Sequence, residues 1–340
     1  MKAYTFSDVL IIPKYSDVES RRDVDISSNL GTSKNPIELL TPVISANMKS
    51  ITESDMAVEM RKNGGLGILH RFNTINEAIK DFTIVKDAGF SCGVSLGVNA
   101  ISGDHDRFDE LYKAGARIFC IDVAHGNSRL VKEMTKWIKN QNYSDVYLIV
   151  GNIATFDGAY DLVDWGANCV KVGIGPGSVC ETRYRTGVGV PQLYALQQIK
   201  EGLTKQGKSD IKIISDGGIT CVGDICKAMK YSDSVMVGSF ISGTTETPGK
   251  VFKDENGQYY KVYAGSSSGE HKSSNGAPTD FIEGIAKKVP FRGHVKYIIQ
   301  EILDGMRSSF SYVGALSLKE FQEKCEFIEI TSGGKVESKI

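Results

Sequence analysis

Residues 168–183 read NCVKVGIGPGSVCETR, a short and largely apolar run that passes directly into a glycine-rich loop. A run of this kind, bounded by turn residues, is typical of a strand that is buried on both faces. Three glycines and a proline then force a tight loop, which presents Cys180 close to the hydroxyls of Ser178 and Thr182. The stretch therefore predicts a buried strand that ends at a loop able to contact a ligand.

Seven further apolar, β-branched runs resemble this one, and the eight begin near Thr41, Leu66, Gly93, Arg117, Val146, Asn168, Ile211 and Ser234. Helical patterns lie between them, at 52–62, 75–88, 106–114, 128–139, 155–165, 190–201 and 222–230. Eight alternating β and α units predict an α/β protein with a closed parallel (β/α)8 TIM barrel, formed as a single catalytic domain over 1–340. The alternative is a doubly wound open sheet, but no Gly-x-Gly-x-x-Gly follows the first strand.

Composition excludes several classes of partner. The formal net charge is −1 and no tract rich in lysine or arginine occurs, so we expect no nucleic-acid partner. No run approaches the roughly 20 apolar residues of a membrane span, and the N-terminal residues lack an apolar signal core. The seven cysteines form no disulfide-framework spacing, which predicts a cytoplasmic protein.

Cys180 is the strongest candidate for a nucleophile. Glycine-rich loops let backbone groups approach a ligand closely, and reactive thiols lie in polar, partly exposed loops rather than in apolar cores. The alternative is a buried cysteine beside a structural turn.

Other polar motifs also follow predicted strands, where the active sites of such barrels lie. Asp122 follows the fourth strand and Asn152 follows the fifth. The sequence 216–218 (DGG) follows the seventh strand and Gly238-Ser239 follows the eighth, at the place where these barrels commonly bind phosphate. A phosphorylated ligand is therefore expected, although a glycine pair alone can be a simple strand-end turn.

The segment after the eighth strand is polar and rich in serine and glycine. We expect a flap at about 265–283, a helix over about 294–308 and a flexible tail at about 331–340.

These motifs together resemble the IMP dehydrogenase/GMP reductase family over nearly the whole chain. The resemblance is carried by 6–13 (FSDVLIIP), 46–48 (ANM), 121–126 (IDVAHG), 151–153 (GNI), 171–180 (KVGIGPGSVC), 216–218 (DGG) and 237–239 (VGS).

The resemblance implies a role for each matching position. Cys180 would attack C2 of a purine mononucleotide and form a covalent thioimidate adduct, with Thr182 and Glu283 as the other catalytic residues. The ribose would bind at Asp216, and the 5′-phosphate would bind at Ser178, Gly217, Gly218, Gly238, Ser239 and Tyr263. The base would contact Gly265 and Ser266, and the nicotinamide would lie beside Asp122 and Asn152. A monovalent cation such as K⁺ would bind the carbonyls of Gly173, Gly175 and Cys180. The family also implies a homotetramer.

Two activities are compatible with this family. One is NADPH-dependent reductive deamination of GMP to IMP and ammonia; the other is oxidation of IMP to XMP with NAD. The dehydrogenases usually carry regulatory modules after the second strand, but here the stretch 69–71 (LHR) leads directly to the run at Gly93 and leaves no room for them. They also use an Arg-Tyr pair on the flap, and 265–282 contains no arginine and no tyrosine. The stretches 187–191 (GVGVP), 247–249 (TPG) and 332–338 (SGGKVES) look closer to bacterial dehydrogenases. We favour the reductase, with a dehydrogenase lacking modules and a catalytically silent nucleotide-binding barrel as alternatives.

Overall fold

The computed structural model describes residues 2–32, 36–101, 103–141, 143–269 and 282–338. Its strands in chain order are β1 (Val9–Ile11), β2 (Ser28–Asn29), β3 (Glu38–Leu39), β4 (Val43–Ser45), β5 (Leu66–Leu69), β6 (Gly93–Leu96), β7 (Ile118–Asp122), β8 (Tyr147–Ile153), β9 (Cys169–Val172), β10 (Lys212–Asp216), β11 (Ser234–Val237), β12 (Phe252–Lys253), β13 (Tyr259–Ala264), β14 (Ala286–Pro290) and β15 (Phe327–Glu329).

The eight strands β4 to β11 form a closed parallel barrel. Each pairs with the next along the chain, and β11 pairs in parallel with β4, with Val235 opposite Val43, which closes the ring. The structure is therefore a (β/α)8 TIM barrel, as the eight apolar runs predict, and the open sheet is excluded. The runs are continuous because both faces of these strands are covered, one by the barrel interior and one by the helices.

Helices alternate with the barrel strands at close to the predicted positions. The described helices are α1 (Ser54–Lys62), α2 (Ile75–Asp87), α3 (Asp104–Ala114), α4 (Arg129–Asn140), α5 (Phe156–Trp165), α6 (Thr182–Thr186), α7 (Gln192–Lys205), α8 (Val222–Met229), α9 (Val295–Tyr312), α10 (Leu318–Lys324) and α11 (Ser332–Glu337). Local chemistry sets their ends, as in α2, where the Thr74 hydroxyl accepts from Glu77 N–H while the Glu77 carboxylate accepts from Thr74 N–H. None of the helices within the described ranges is long and apolar enough to cross a membrane.

A second sheet lies beside the barrel mouth. Strands β12, β13 and β14 are antiparallel, and β13 places the buried Tyr263 next to the loop that follows β11. Most of the predicted flap, residues 270–281, lies outside the described residues. The segment 282–285 leads into β14 and contacts the cysteine loop, so this sheet supports one wall of the site.

The predicted flexible tail contains a helix in the structure. The hydroxyl of Thr331 caps α11 by accepting from Gly334 N–H, and Lys335 forms an ion pair with Asp8 near the start of the chain. The partner of Lys335 is remote in sequence, so composition alone gives no sign of this anchor.

Candidate active site

A cavity of about 540 Å³ opens at the carboxyl ends of the barrel strands. All of the site residues named from the sequence line it: Asp122, Asn152, Gly173, Gly175, Ser178, Cys180, Thr182, Asp216, Gly217, Gly218, Gly238, Ser239, Tyr263, Gly265, Ser266 and Glu283. Their presence in one cavity follows from barrel closure, because the loops after all eight strands meet at the same face. Their individual chemical roles remain predictions.

The cysteine loop begins at the end of β9 with two glycines that the backbone requires. Gly173 has a φ of +152° and Gly175 a φ of +78°, and a Cβ at Gly173 would overlap the carbonyl oxygen of Asp216. The side chain of Arg183 fills the space beside Gly175 and donates hydrogen bonds to the carbonyls of Ile174 and Val190. The loop is therefore tied at both ends, and it holds Cys180 exposed to the cavity.

A hydrogen-bonded chain joins Cys180 to a carboxylate. The Sγ of Cys180 lies 3.1 Å from the Thr182 hydroxyl, which donates to Oε2 of Glu283 at 2.7 Å. Because the single hydroxyl proton of Thr182 is directed to Glu283, its oxygen is left to accept from a group beside Cys180. The arrangement can pass a proton between Glu283 and an atom bound near the sulfur.

Backbone pairing holds Glu283 at this distance. The N–H of Glu181 donates to the carbonyl of Glu283 at 2.7 Å, and the N–H of Ile285 donates to the carbonyl of Val179 at 3.0 Å. These bonds pair the segment 283–285 with the cysteine loop in antiparallel fashion. The carboxylate of Glu181 points elsewhere and forms an ion pair with Arg185 at 2.6 Å.

The glycine motifs after β10 and β11 face the same end of the cavity as Tyr263. Gly217 and Gly218 have φ values of +86° and +80°, which favour glycine. The backbone N–H groups of Gly218, Gly238 and Ser239 donate to no other described residue. Burial raises the pKa of Tyr263, so its hydroxyl stays protonated and can donate. This end of the cavity thus presents neutral hydrogen-bond donors suited to a phosphate.

A buried lysine organises the other end of the cavity. The ammonium of Lys171, on β9, lies 2.9 Å from Oδ1 of Asp122 and 2.8 Å from Oδ2 of Asp216, and it also donates to Oδ1 of Asn152. Burial would lower the pKa of Lys171, but the two carboxylates outweigh it and raise that pKa. Burial would likewise raise the pKa of Asp122, but Lys171 and Arg71 outweigh it and lower that pKa. Lys171 and Asp122 are therefore both ionised at neutral pH.

The amide of Asn152 is fully engaged within this network. Its Nδ2 donates to Oδ2 of Asp216 at 2.8 Å and to the carbonyl of Gly173 at 2.7 Å, while its Oδ1 accepts from Lys171. All hydrogen bonds from described side chains to the Asp216 carboxylate go to Oδ2. Asn152 thus fixes the carboxylate so that Oδ1 of Asp216 stays available to a ligand.

Sequence reasoning assigned no role to Lys171 or to Arg71, whose Nε donates to the carbonyl of Asp122 at 3.2 Å. The signal for Lys171 was a charged residue within an otherwise apolar buried strand, since such a charge needs partners. Arg71 directly follows the histidine at the end of the second apolar run, which carries no comparable signal.

Backbone carbonyls, rather than clustered side chains, are the candidate metal ligands among the described residues. Across the described ranges, no group of three or more histidine, cysteine or acidic side chains could hold a metal ion. The carbonyls of Gly175 and Cys180 accept no hydrogen bond from a described residue, whereas that of Gly173 accepts from Asn152. Carbonyl groups of this kind can bind a hard monovalent cation, and the cation site remains a prediction.

Comparison with known proteins adds to this geometry. A family model described as the IMP dehydrogenase / GMP reductase domain matches residues 3–340. An inosine-5′-monophosphate dehydrogenase from Cryptosporidium parvum is 34% identical over 394 aligned positions, covering 100% of this chain and 95% of that protein. GMP reductase 1 from Mus musculus is 35% identical over 336 positions, covering 96% and 94%. A solved GMP reductase from Trypanosoma brucei, in complex with guanosine 5′-monophosphate, has a TM-score of 0.90 at 26% identity and covers 100% of this chain and 98% of that one.

Proposed function

Because this chain belongs to the IMP dehydrogenase / GMP reductase family of purine nucleotide oxidoreductases, we propose that it is a GMP reductase, which converts GMP to IMP and ammonia with NADPH. The observation that carries the proposal is the chain of hydrogen bonds from Cys180 through Thr182 to Glu283. Loss of an amine needs a proton donor at the leaving nitrogen, and this chain ends beside the sulfur that would hold C2.

The proposed chemistry uses Cys180 as the nucleophile. Its sulfur bonds to C2 of GMP, and the C2 amine then departs as ammonia with a proton delivered through Thr182 from Glu283. The resulting thioimidate is reduced at C2, the C–S bond breaks, and IMP and the free thiolate are released. The bound nicotinamide cofactor would supply the hydride for that reduction.

The nucleotide would lie along the cavity from Asp216 to Tyr263. Oδ1 of Asp216 would accept from the ribose hydroxyls, while Ser178, Gly217, Gly218, Gly238, Ser239 and Tyr263 would bind the phosphate and Gly265 and Ser266 would contact the base. The unpaired N–H groups at this end support the phosphate assignment.

The residues at the other end fit a nicotinamide cofactor. The Asp122 carboxylate accepts from Lys171 through Oδ1 and from the side chain of Asn47, and this anchored carboxylate would accept from the carboxamide. Asn152 would act by holding Asp216 and Lys171. We assign NADPH rather than NAD as the expected cofactor, and a monovalent cation such as K⁺ to the carbonyls of Gly173, Gly175 and Cys180. We also expect a homotetramer, as family membership suggests.

The connection lengths support the reductase over the dehydrogenase. The segment between β5 and β6 holds the single helix α2 and has no room for a regulatory module. The mouse reductase aligns over 336 positions and covers 96% of this chain and 94% of that protein, so the two chains have similar lengths.

IMP dehydrogenase remains the second candidate, because the stretch 187–191 (GVGVP) resembles bacterial dehydrogenases and a dehydrogenase is 34% identical to this chain. A two-direction assay separates the two activities and the catalytically silent barrel. GMP with NADPH should yield IMP and stoichiometric ammonia, whereas IMP with NAD should yield no XMP. Multiple turnovers to XMP without ammonia release in the other direction would overturn the proposal, and no turnover in either direction would favour the silent barrel.

A further inference from the structure

Lys287 extends from β14 to the rim of the cavity. It lies directly opposite Tyr263 in the antiparallel pair β13–β14, so the two side chains share one face of the sheet. Tyr263 is buried and lines the cavity, while the ammonium of Lys287 donates to the carbonyl of Ser178 at 2.6 Å. The strand pairing and this hydrogen bond therefore place the positive charge of Lys287 beside Tyr263 and Ser178, at the end of the cavity proposed to bind the phosphate.

The described part of the cavity wall carries little free positive charge. Within it, the cationic side chains are those of Arg71 and Lys171. Lys171 is paired with two carboxylates, and Arg71 bonds the backbone of one of them, Asp122. Both cations are therefore already engaged with Asp122 or its neighbours, and neither is placed to balance the charge of a bound phosphate.

A phosphate monoester carries about −1.5 to −2 charges at neutral pH. The donors at the phosphate end, namely backbone N–H groups and the hydroxyls of Ser178, Ser239 and Tyr263, are neutral. They can fix the position of the phosphate, but they leave most of its charge uncompensated.

We propose that Lys287 supplies this counter-charge and makes the site prefer a purine nucleoside monophosphate over the corresponding nucleoside. The inference rests on the proposed function, since it takes the phosphate to lie at Ser178. The side chain of Lys287 is flexible, but the hydrogen bond to the Ser178 carbonyl fixes its ammonium. The charge is therefore already positioned before the ligand binds.

The neighbouring Lys288 provides a matched control. It lies on the opposite face of β14, where its ammonium lies 4.8 Å from the ring centre of Tyr260, and it is exposed. Lys288→Gln therefore removes the same charge from the same strand without touching the rim of the cavity.

The size of the effect follows from Coulomb's law. A unit charge about 6 Å from a dianion, in a water-exposed site with physiological salt, changes affinity by about 3- to 10-fold. Screening should reduce that difference as salt rises, because Lys287 is exposed.

The experiment measures the dissociation constants of GMP and IMP by calorimetry, and that of guanosine by competition, for the full-length protein. Lys287→Gln should weaken nucleotide binding by about 3- to 10-fold, leave guanosine binding unchanged and flatten the salt dependence of GMP binding. Lys287→Arg and Lys288→Gln should each stay within about 2-fold of the parent protein.

Unchanged GMP affinity and salt dependence in Lys287→Gln would overturn the inference, as would equal weakening of GMP and guanosine, which would indicate a structural role. If the parent protein binds neither GMP nor IMP, the proposed function fails instead. The two failures are distinguishable because the parent protein is titrated first.

Discussion

Replacing Lys171 by methionine tests the buried charge network most directly. The side chain of Lys171 is 2% exposed, and its removal leaves the carboxylates of Asp122 and Asp216 facing the same space, with side chains 19% and 21% exposed. Removing one partner of a buried ion pair typically costs about 3–5 kcal/mol, and the partial exposure of both carboxylates reduces the expected loss to about 2–4 kcal/mol.

The assay is urea unfolding of four proteins that form a double-mutant cycle: the parent, Lys171→Met, Asp122→Asn and the double variant. Because Asp122→Asn removes one of the two repelling charges, it should recover at least about 1 kcal/mol of the loss caused by Lys171→Met. Lys261→Met is the control, since Lys261 is 3% exposed but its ammonium bonds the neutral carbonyls of Thr245 and Thr247. Asp122→Asn should not change the loss in free energy of unfolding that Lys261→Met causes.

The pH dependence gives a second check. In the parent protein the pKa of Asp122 is lowered, so its contribution to stability is present above the pKa of the unfolded chain and is lost as pH falls through the folded pKa. The raised pKa of Lys171 keeps its contribution present throughout the neutral range, and that contribution is lost only as pH rises through the folded pKa. In Lys171→Met, repulsion between the carboxylates of Asp122 and Asp216 raises the pKa of one of them. Its protonation relieves the repulsion, so the deficit in the free energy of unfolding should shrink between about pH 7 and pH 5. A coupling energy below about 0.5 kcal/mol, or a deficit that does not change with pH, would refute the assignment of this network.

Substitutions at three further positions test the proposed chemistry. Cys180→Ser and Cys180→Ala should abolish turnover while leaving GMP affinity within a few-fold, and more than a tenth of the parental rate in either would contradict the covalent mechanism. Glu283→Gln should lower kcat by about 10²–10⁴ with little change in the dissociation constant of GMP, and a loss of affinity without a loss of kcat would argue against the proton relay. Gly238→Val should weaken GMP binding by more than tenfold, because a Cβ there would lie 2.8 Å from the hydroxyl of Tyr263 and the side chain would enter the space proposed for the phosphate. Unchanged GMP affinity would move the phosphate away from this loop.

The barrel was predictable because its signal is local. A strand buried on both faces reads as a short apolar run, and each of the eight runs contains one barrel strand, such as Cys169–Val172 within the run from Asn168. The helix ends were less predictable, since α9 continues to Tyr312 along an apolar stripe, and it packs against α8 and α1. The short strands β12 and β13 gave no clear period and were not anticipated.

The site was predictable as a set of loop motifs but not as a network. Lys171 meets Asp122 and Asp216 only because β7 and β10 lie on either side of β8 and β9 in the closed ring. Nothing in the local sequence states which carboxylates a buried lysine will meet. The contact of Thr182 with Glu283 likewise depends on backbone pairing between two segments that are far apart in the chain.

That backbone pairing has a consequence for the timing of the reaction. The proposed nucleophile and the proposed acid lie on two paired backbone segments. The hydrogen bonds from Glu181 N–H to the Glu283 carbonyl and from Ile285 N–H to the Val179 carbonyl hold these segments together. A shift of either strand separates the thiol from its proton source in the same movement. On the proposed mechanism, attack at C2 and protonation of the departing group would therefore become competent together, and backbone changes here should slow both steps. Side-chain substitutions at Cys180, Thr182 or Glu283, in contrast, should uncouple the two steps.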